Sequence, residues 1–405
     1  MATHYNRRQF IQRSLTAGAG AMAVAGTATA AQSLSPATLA ENRQVPTRPF
    51  GASGIQVSIL SLGGMFDIGN NQLMLRQALK WGVTYWDTAD CYGGGRSESG
   101  IGKYFQRFPQ DRAKVFLVTK SDSRDPKGMS RLLERSLERM QTDTIDLYLL
   151  HGIRSARDLD DEIRVWAEQA KSAGKIKLFG FSTHSNMERC LSDAAQLGWV
   201  DGIMMTYNYR LMQSDAMRRA VEACTQAGIG LTAMKTQGGG SVAGSGGLAE
   251  DLAGRFLTQG FSEYQAKLKA VWHNPQIAAI CSQMPNMTIL SANSAAAMDR
   301  TELQARELES LQRYARQTES LYCAGCADIC ENALGEEALP VADVLRYLMY
   351  RRCYGDPQRA RAEFQRIPRT VRQTMARMDY APAEAVCPRK IPIGRLMAEA
   401  LERLA

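Results

Sequence analysis

The sequence predicts an α/β fold: a (β/α)8 (TIM) barrel over residues 45–315, followed by a small, mostly helical, cysteine-bearing C-terminal domain over residues 316–405. Three observations predict it. Short apolar runs alternate with helix-period segments from Val57 to about Ala315, the pattern of repeated βα units around a parallel sheet. Eight such runs are present, the number that closes a barrel. The length of 405 residues leaves room for one appendage beyond the roughly 250 residues that a barrel takes.

Residues 1–30 read as an address rather than as part of the fold. Arg7-Arg8 precede Phe10-Ile11 and an uncharged run rich in Ala, Gly and Thr from Ser14, and Ala28-Thr29-Ala30 supplies small residues at the spacing of a cleavage site. The segment resembles a twin-arginine export signal, which implies a periplasmic or otherwise exported protein that crosses the membrane folded, with any cofactor already inserted. An amphipathic N-terminal helix is the alternative, but the segment has no polar stripe. Beyond Gln32 no apolar stretch of ~20 residues follows, so the mature chain is expected to carry no membrane span.

Pro46 to Val57 holds Phe50-Gly51-Ala52-Ser53-Gly54 between extended runs, which predicts a hairpin plugging the barrel bottom. The expected strands are Ser58–Leu62, Thr84–Thr88, Val115–Thr119, Leu147–Leu150, Leu178–Ser182, Gly202–Thr206, Gly230–Met234 and Ala278–Ser282. Between them lie amphipathic segments such as Met129–Met140, with Leu132, Leu133, Leu137 and Met140 on one face and Arg131, Glu134, Arg135 and Glu138 on the other. A doubly wound open sheet is the structural rival. It would show a glycine phosphate fingerprint after its first strand, and Leu62-Gly63-Gly64 is not one. The glycine-rich stretch Gly238–Gly247 follows the seventh strand, on the face where barrel loops build active sites.

An apolar fraction of 45% with 22% charged residues is that of a soluble globular enzyme, not of a disordered chain. The formal charge of +8 comes from the leader arginines and from Arg351, Arg352, Arg359, Arg361, Arg366 and Arg369. No aromatic-interleaved basic strip accompanies them, so nucleic acid is not an expected partner. A solvated helical surface is expected, with an acidic partner or membrane surface as the alternative.

Polar groups stand at the ends of three successive strands: Asp87, with Tyr92 just beyond it, Lys120 and His151. In a barrel these positions all open at the C-terminal mouth, so residues far apart in sequence converge. A phenol is a feeble acid unless its anion is stabilised. Lys120 would supply positive charge beside the Tyr92 oxygen, Asp87 would keep Lys120 charged and oriented, and His151 could hydrogen-bond a reacting carbonyl oxygen.

The blocks Phe50-Gly51-Ala52-Ser53-Gly54, Trp86-Asp87-Thr88-Ala89-Asp90-Cys91-Tyr92-Gly93, Val118-Thr119-Lys120, Ile145-Asp146-Leu147-Tyr148-Leu149-Leu150-His151 and Phe179-Gly180-Phe181-Ser182 resemble those of the aldo-keto reductase family. The resemblance implies the Asp87, Tyr92, Lys120 and His151 set in the roles above, with NADPH or NADH delivering hydride to a small carbonyl substrate, or taking it from an alcohol. It further implies that Ser182 holds the nicotinamide carboxamide, that Tyr207 and Asn208 line the nicotinamide, and that Asn293 contacts adenine. A helix cap for Ser182, and packing or surface roles for Tyr207 and Asn293, are the structural alternatives. Ile280–Met287 lacks the basic residue that would grip a 2′-phosphate, so the choice between NADP and NAD stays open.

Nine cysteines are unevenly placed. Cys323, Cys326 and Cys330 form a CxxCxxxC run, and Cys387 stands before Pro388 far downstream. A chain with a large core has no need of a disulfide scaffold, so cofactor ligation is favoured. With the Val341–Tyr350 helix and Ile391-Pro392-Ile393, the run resembles the ferredoxin-like tail of a subgroup of the family, which implies a 4Fe-4S cluster on these four cysteines and a redox protein as a further partner. The spacing departs from the usual CxxCxxCxxxCP. Structural zinc and vacant or disulfide-bonded cysteines are the alternatives. The rival to an enzyme is a nicotinamide-binding redox sensor or electron-transfer subunit with little turnover.

Overall fold

The computed structural model describes residues 43–239, 256, 260–335 and 339–405. The expected export signal, and residues 240–247 of the expected glycine-rich loop, lie outside the described residues.

Eight parallel strands close into a barrel in chain order: β3 (Leu60–Gly63), β4 (Tyr85–Asp87), β5 (Phe116–Ser121), β6 (Ile145–Leu150), β7 (Ile176–Thr183), β8 (Gly202–Thr206), β9 (Gly230–Met234) and β10 (Ala279–Gln283). Closure comes from β10 beside β3, with Ile280 opposite Leu60. Each strand falls within three residues of its expected position, because strands covered on both faces read as short, nearly continuous apolar runs. Period-2 alternation then divides the side chains. On β6, Leu147 and Leu149 point into the barrel beside Phe116 and Val118. Tyr148 and Leu150 point outward into the layer that holds Trp166 and Phe179.

That outer layer is covered by α1 (Gln72–Lys80), α2 (Arg96–Arg107), α3 (Pro126–Met140), α4 (Asp161–Ser172), α5 (Met187–Ala194), α6 (Asp215–Gln226), α7 (Glu263–Trp272) and α8 (Met287–Met298). Helix α3 shows how local sequence sets the boundaries. Asp125 caps it by accepting from the Gly128 amide at 2.7 Å, Pro126 occupies its first turn, and Gln141 ends it in the left-handed region. Its buried face contains Leu132, Leu133, Leu137 and Met140, as expected.

The expected hairpin is present as β1 (Thr47–Pro49) and β2 (Gln56–Ser58), antiparallel, with Thr47 opposite Ser58. Between them the fully buried Phe50 ring enters the barrel bottom, 5.3 Å from Phe116 and 6.5 Å from Tyr85 between centroids. Gly230 makes room for it: a Cβ there would lie 2.5 Å from the ring. The ring therefore acts as the floor of the barrel core. Phe50→Ala is expected to destabilise the protein by about 3–5 kcal/mol, read as a lower urea midpoint; an unchanged midpoint would show that the ring carries no packing load.

Helix α9 (Ala305–Gln317) lays Leu311 and Tyr314 against Tyr209 and Phe261. The tail continues as α10 (Ala327–Asn332), α11 (Val341–Cys353), α12 (Pro357–Gln365), α13 (Arg369–Met375), α14 (Ala381–Val386) and α15 (Ile393–Leu404). These share a separate apolar core including Val344, Tyr350, Phe364, Met397 and Leu404. The tail is bonded to the barrel mouth: Asn186 donates its amide N–H to the Gly325 carbonyl at 2.7 Å and its side chain bonds Asp328, while Arg154 pairs with Glu331. No helix among the described residues is long and apolar enough to cross a membrane.

Candidate active site

The barrel register brings the expected quartet to one rim. Asp87 ends β4, Lys120 lies near the end of β5, and His151 follows β6, its amide donating to the Ser121 carbonyl at 2.9 Å. Tyr92 reaches the same place by a turn. The three residues after it, Gly93, Gly94 and Gly95, have φ of 60°, 66° and 90°, a run of left-handed conformations that only glycine adopts without strain. Asp90 anchors this turn to α3, accepting two bonds from Arg135 at 2.8 and 2.7 Å and one from Arg139 at 2.9 Å.

Lys120 is almost wholly buried. Its ammonium donates to Asp87 Oδ1 at 2.5 Å and to the Thr88 carbonyl at 2.6 Å, and lies 4.9 Å from the centre of the Tyr92 ring. Burial alone would drive the proton off Lys120, but the charge and hydrogen bond of Asp87, together with Tyr92 and Cys281, outweigh it and the pKa is raised, so the group stays a cation. Burial also raises the Tyr92 phenol, against the pull of the Lys120 ammonium, leaving it above its ordinary value. Tyr92 is thus a protonated phenol whose anion has a fixed cation waiting beside it.

The His151 ring stands 5.8 Å from the Tyr92 ring, tilted 72°. Its Nδ1 is 2.7 Å from Asp122 Oδ1. A carboxylate can only accept, so Nδ1 carries the proton and Nε2 is left for a ligand. Burial works to raise Asp122, yet the hydrogen bond and charge of His151, with help from Cys91 and Arg124, hold it down at about 2. Cys91 completes the group, its Sγ 3.6 Å from the same Nδ1. Burial and the Asp122 charge push its thiol up to about 12, so it remains a neutral neighbour rather than a nucleophile.

The expected cofactor residues separate. Ser182 is buried beside the His151 loop: its Oγ accepts from the Gly152 amide at 2.9 Å and its carbonyl from the Ile153 amide at 2.9 Å. Asn208 is fully buried and donates to the Tyr322 hydroxyl of the tail at 2.9 Å and to the Lys235 carbonyl at 3.1 Å. The Tyr207 hydroxyl accepts from Asn274 at 3.0 Å, and Asn293 donates to Ser282 Oγ at 3.0 Å near the end of β10. Asn208 therefore joins barrel to tail, and Ser182, through the Gly152 and Ile153 amides, adjoins the loop that begins with His151.

All nine cysteines are free thiols. Cys323, Cys330 and Cys387 border the tail core, and Cys387 lies near enough to Cys323, Cys326 and Cys330 to disfavour their ionisation. Burial, then the neighbouring cysteines and, for Cys330, first the Glu331 carboxylate, push Cys323 and Cys330 up to about 12 and raise Cys326. Gly325 in this loop has φ of 79°, and a Cβ there would lie 2.4 Å from the His184 carbonyl, which fixes the cysteine loop tightly on the barrel.

Residue patterning left several groups unseen. Asp122 lies two residues past Lys120 and was open to notice as a polar residue at a strand end. Lys235 carries no local signal, and Arg346, Tyr350 and Arg359 meet it across the barrel–tail boundary; Arg359, counted in the sequence with a basic surface expected to be solvated, packs instead against the Tyr350 ring with its Nε buried.

A closed parallel barrel that gathers a buried ammonium, a carboxylate, a phenol and an imidazole at its C-terminal mouth defines an enzyme of the (β/α)8 class. The sequence model of the Aldo/keto reductase family matches residues 63–292, and the chain belongs to that family, which makes it an oxidoreductase. It is 31% identical over 219 residues to the uncharacterized oxidoreductase YrpG of Bacillus subtilis, covering 48% of this chain and 67% of that one. It is 27% identical over 217 residues to the aldo-keto reductase yakc [NADP(+)] of Schizosaccharomyces pombe, covering 50% and 62%. The chain thus spans about two thirds of the length of these relatives. Among solved structures, the aldo-keto reductase AKR11C1 of Bacillus halodurans superposes with a TM-score of 0.58 at 23% identity, over 67% of this chain and 96% of that one. This last likeness establishes the fold alone.

Proposed function

We propose that the protein is an NAD(P)-dependent oxidoreductase that interconverts a small carbonyl compound and its alcohol, with Tyr92 as the general acid and base. The observation that carries this reading is the Lys120 ammonium held by Asp87 at 2.5 Å and set 4.9 Å from the Tyr92 ring. The nicotinamide, when bound, supplies or accepts the hydride at the carbonyl carbon. Ser182 fits such a group, because its hydroxyl accepts from Gly152 and keeps its own proton to offer. NADP is the cofactor named for the yeast relative.

The protein's own residues handle the proton. Tyr92 Oη donates to the carbonyl oxygen as negative charge develops there, and Lys120 stabilises the phenolate left behind. His151, oriented through Nδ1 by Asp122, presents Nε2 to the same oxygen, accepting from it as the alcohol hydroxyl or, as an imidazolium, donating to it as the carbonyl. In the direction of alcohol oxidation the phenolate takes the proton back.

The four tail cysteines fit an iron–sulfur cluster in donor chemistry: four free thiols share one electrostatic neighbourhood whose crowding a cationic centre would relieve. Cys323, Cys326, Cys330 and Cys387 would hold it, where it could exchange single electrons with a redox protein. Export by the twin-arginine route agrees with a cofactor inserted before translocation.

Two measurements test this. Full-length protein purified anaerobically is expected to consume nicotinamide with some member of a carbonyl panel. It is also expected to contain iron and acid-labile sulfide, with broad visible absorption that bleaches on reduction and is lost in Cys326→Ser. Zinc in place of iron would overturn the cluster assignment.

A further inference from the structure

The tail places a second set of charges at the barrel mouth. Lys235 follows β9, and its ammonium lies 4.7 Å from the ring centre of Tyr350 on α11 and 5.9 Å from that of Tyr354. Arg359 on α12 lies 4.1 Å from the same Tyr350 ring, and Arg346 stands one helical turn before it on α11. Three cations thus surround one phenol.

Their charges are poorly balanced. Arg346 pairs with Asp343 at 2.8 Å, but Asp343 also faces Arg154 at 3.7 Å. Among the described residues neither Lys235 nor Arg359 has a carboxylate ion-pair partner, and Arg346 Nε, Arg359 Nε and the Tyr354 hydroxyl are buried without a hydrogen-bond partner. Buried donors left unsatisfied are costly and call for an acceptor. The excess positive charge shows on its neighbours. Burial would raise the Tyr350 phenol, yet Lys235, Arg346 and Arg359 bring it down to about 8. Burial together with the two arginines lowers Lys235 itself to about 8, against the opposing pull of Tyr350.

Two of these cations, Lys235 and Arg346, border a real space. A cavity of about 260 Å³ is lined by His184, Thr206 and Lys235 from the barrel and by Tyr322, Cys323 and Arg346 from the tail. It sits at the barrel mouth, where Thr206 ends β8 and Lys235 follows β9, and Arg359, beside Tyr350, stands near enough to the rim for its charge to act on the Tyr92 phenol.

We propose that Lys235, Arg346 and Arg359 bind an anionic group, a carboxylate or phosphate, carried by the carbonyl substrate itself, so that the tail selects which carbonyl compounds reach Tyr92. The assignment rests on Tyr92 being the acid of a carbonyl reductase. Oxyanion chemistry of the same kind occurs on the cofactor's pyrophosphate, and the two sources are separable by experiment.

The test compares 4-formylbenzoate with its methyl ester, two aldehydes that differ by one charge, in wild type, Lys235→Met, Arg359→Met and the conservative Arg359→Lys. The nicotinamide KM is recorded for each protein, and 4-formylbenzoate binding is followed in parallel by calorimetry. Wild type is expected to favour the acid in kcat/KM by about tenfold or more, and both methionine variants to lose that preference through KM with a Kd weakened about tenfold, while Arg359→Lys keeps most of it. Equal handling of acid and ester by wild type overturns the proposal. So does a raised nicotinamide KM with the acid-to-ester ratio unchanged, which would give the cations to the cofactor. If neither aldehyde turns over, calorimetry still decides the anion site, and the missing turnover counts against the reductase reading alone.

Discussion

Tyr92→Phe is expected to lower kcat for carbonyl reduction by ~10²–10⁴-fold, the range over which a positioned general acid contributes, while leaving the fold unchanged. The ring that packs against Lys120 and His151 survives the substitution, and only the hydroxyl is lost. Stopped-flow measurement of nicotinamide oxidation at saturating substrate reads the effect directly, and a variant that turned over at the wild-type rate would remove Tyr92 from the mechanism. The pH dependence has a definite sign. Burial raises the phenol above its ordinary value, so the proton needed for reduction is present throughout the neutral range and the reduction rate should be level there. Alcohol oxidation needs the phenolate, so its rate should climb as pH rises.

Lys120→Met carries the second large effect, on activity and stability together. Asp87 and Lys120 are both almost fully buried, and Lys120 is the group that neutralises the carboxylate. Without it, Asp87 keeps among the described residues only the weak thiol contact of Cys281 at 3.6 Å. Removing one partner of a buried pair typically costs about 3–5 kcal/mol, so the urea midpoint should fall clearly. Adding Asp87→Asn should restore part of that stability by removing the stranded charge, while activity stays low because the cation beside Tyr92 is gone. Stability unchanged in the single variant would mean that the pair is not buried as described.

Much of the proposed catalytic quartet was legible in the sequence. A barrel strand ends at its C-terminal mouth whatever its sequence, so a polar residue at the end of an apolar run has its location set by topology. Asp87, Lys120 and His151 are such residues. Tyr92 is placed by the three glycines after it, also a local signal. The expected cofactor residues were harder. Ser182 sits beside the catalytic loop, but Asn208 is taken up by Tyr322, a residue 114 positions away, and no pattern within β8 announces that contact.

The sequence by itself determined the barrel, its floor at Phe50 and the rim on which Asp87, Tyr92, Lys120 and His151 stand. Apolar periodicity, turn glycines and strand ends are short-range properties, and eight repeats of them admit one closed arrangement. Only the tertiary structure decided that Asp122 orients His151 and that Asn208 ties tail to barrel. It also decided that arginines of α11 and α12 converge with Lys235 above the mouth. Those pairings depend on how two separately patterned regions dock. Docking is settled by complementary shape and charge between distant segments, a property that neither segment carries alone.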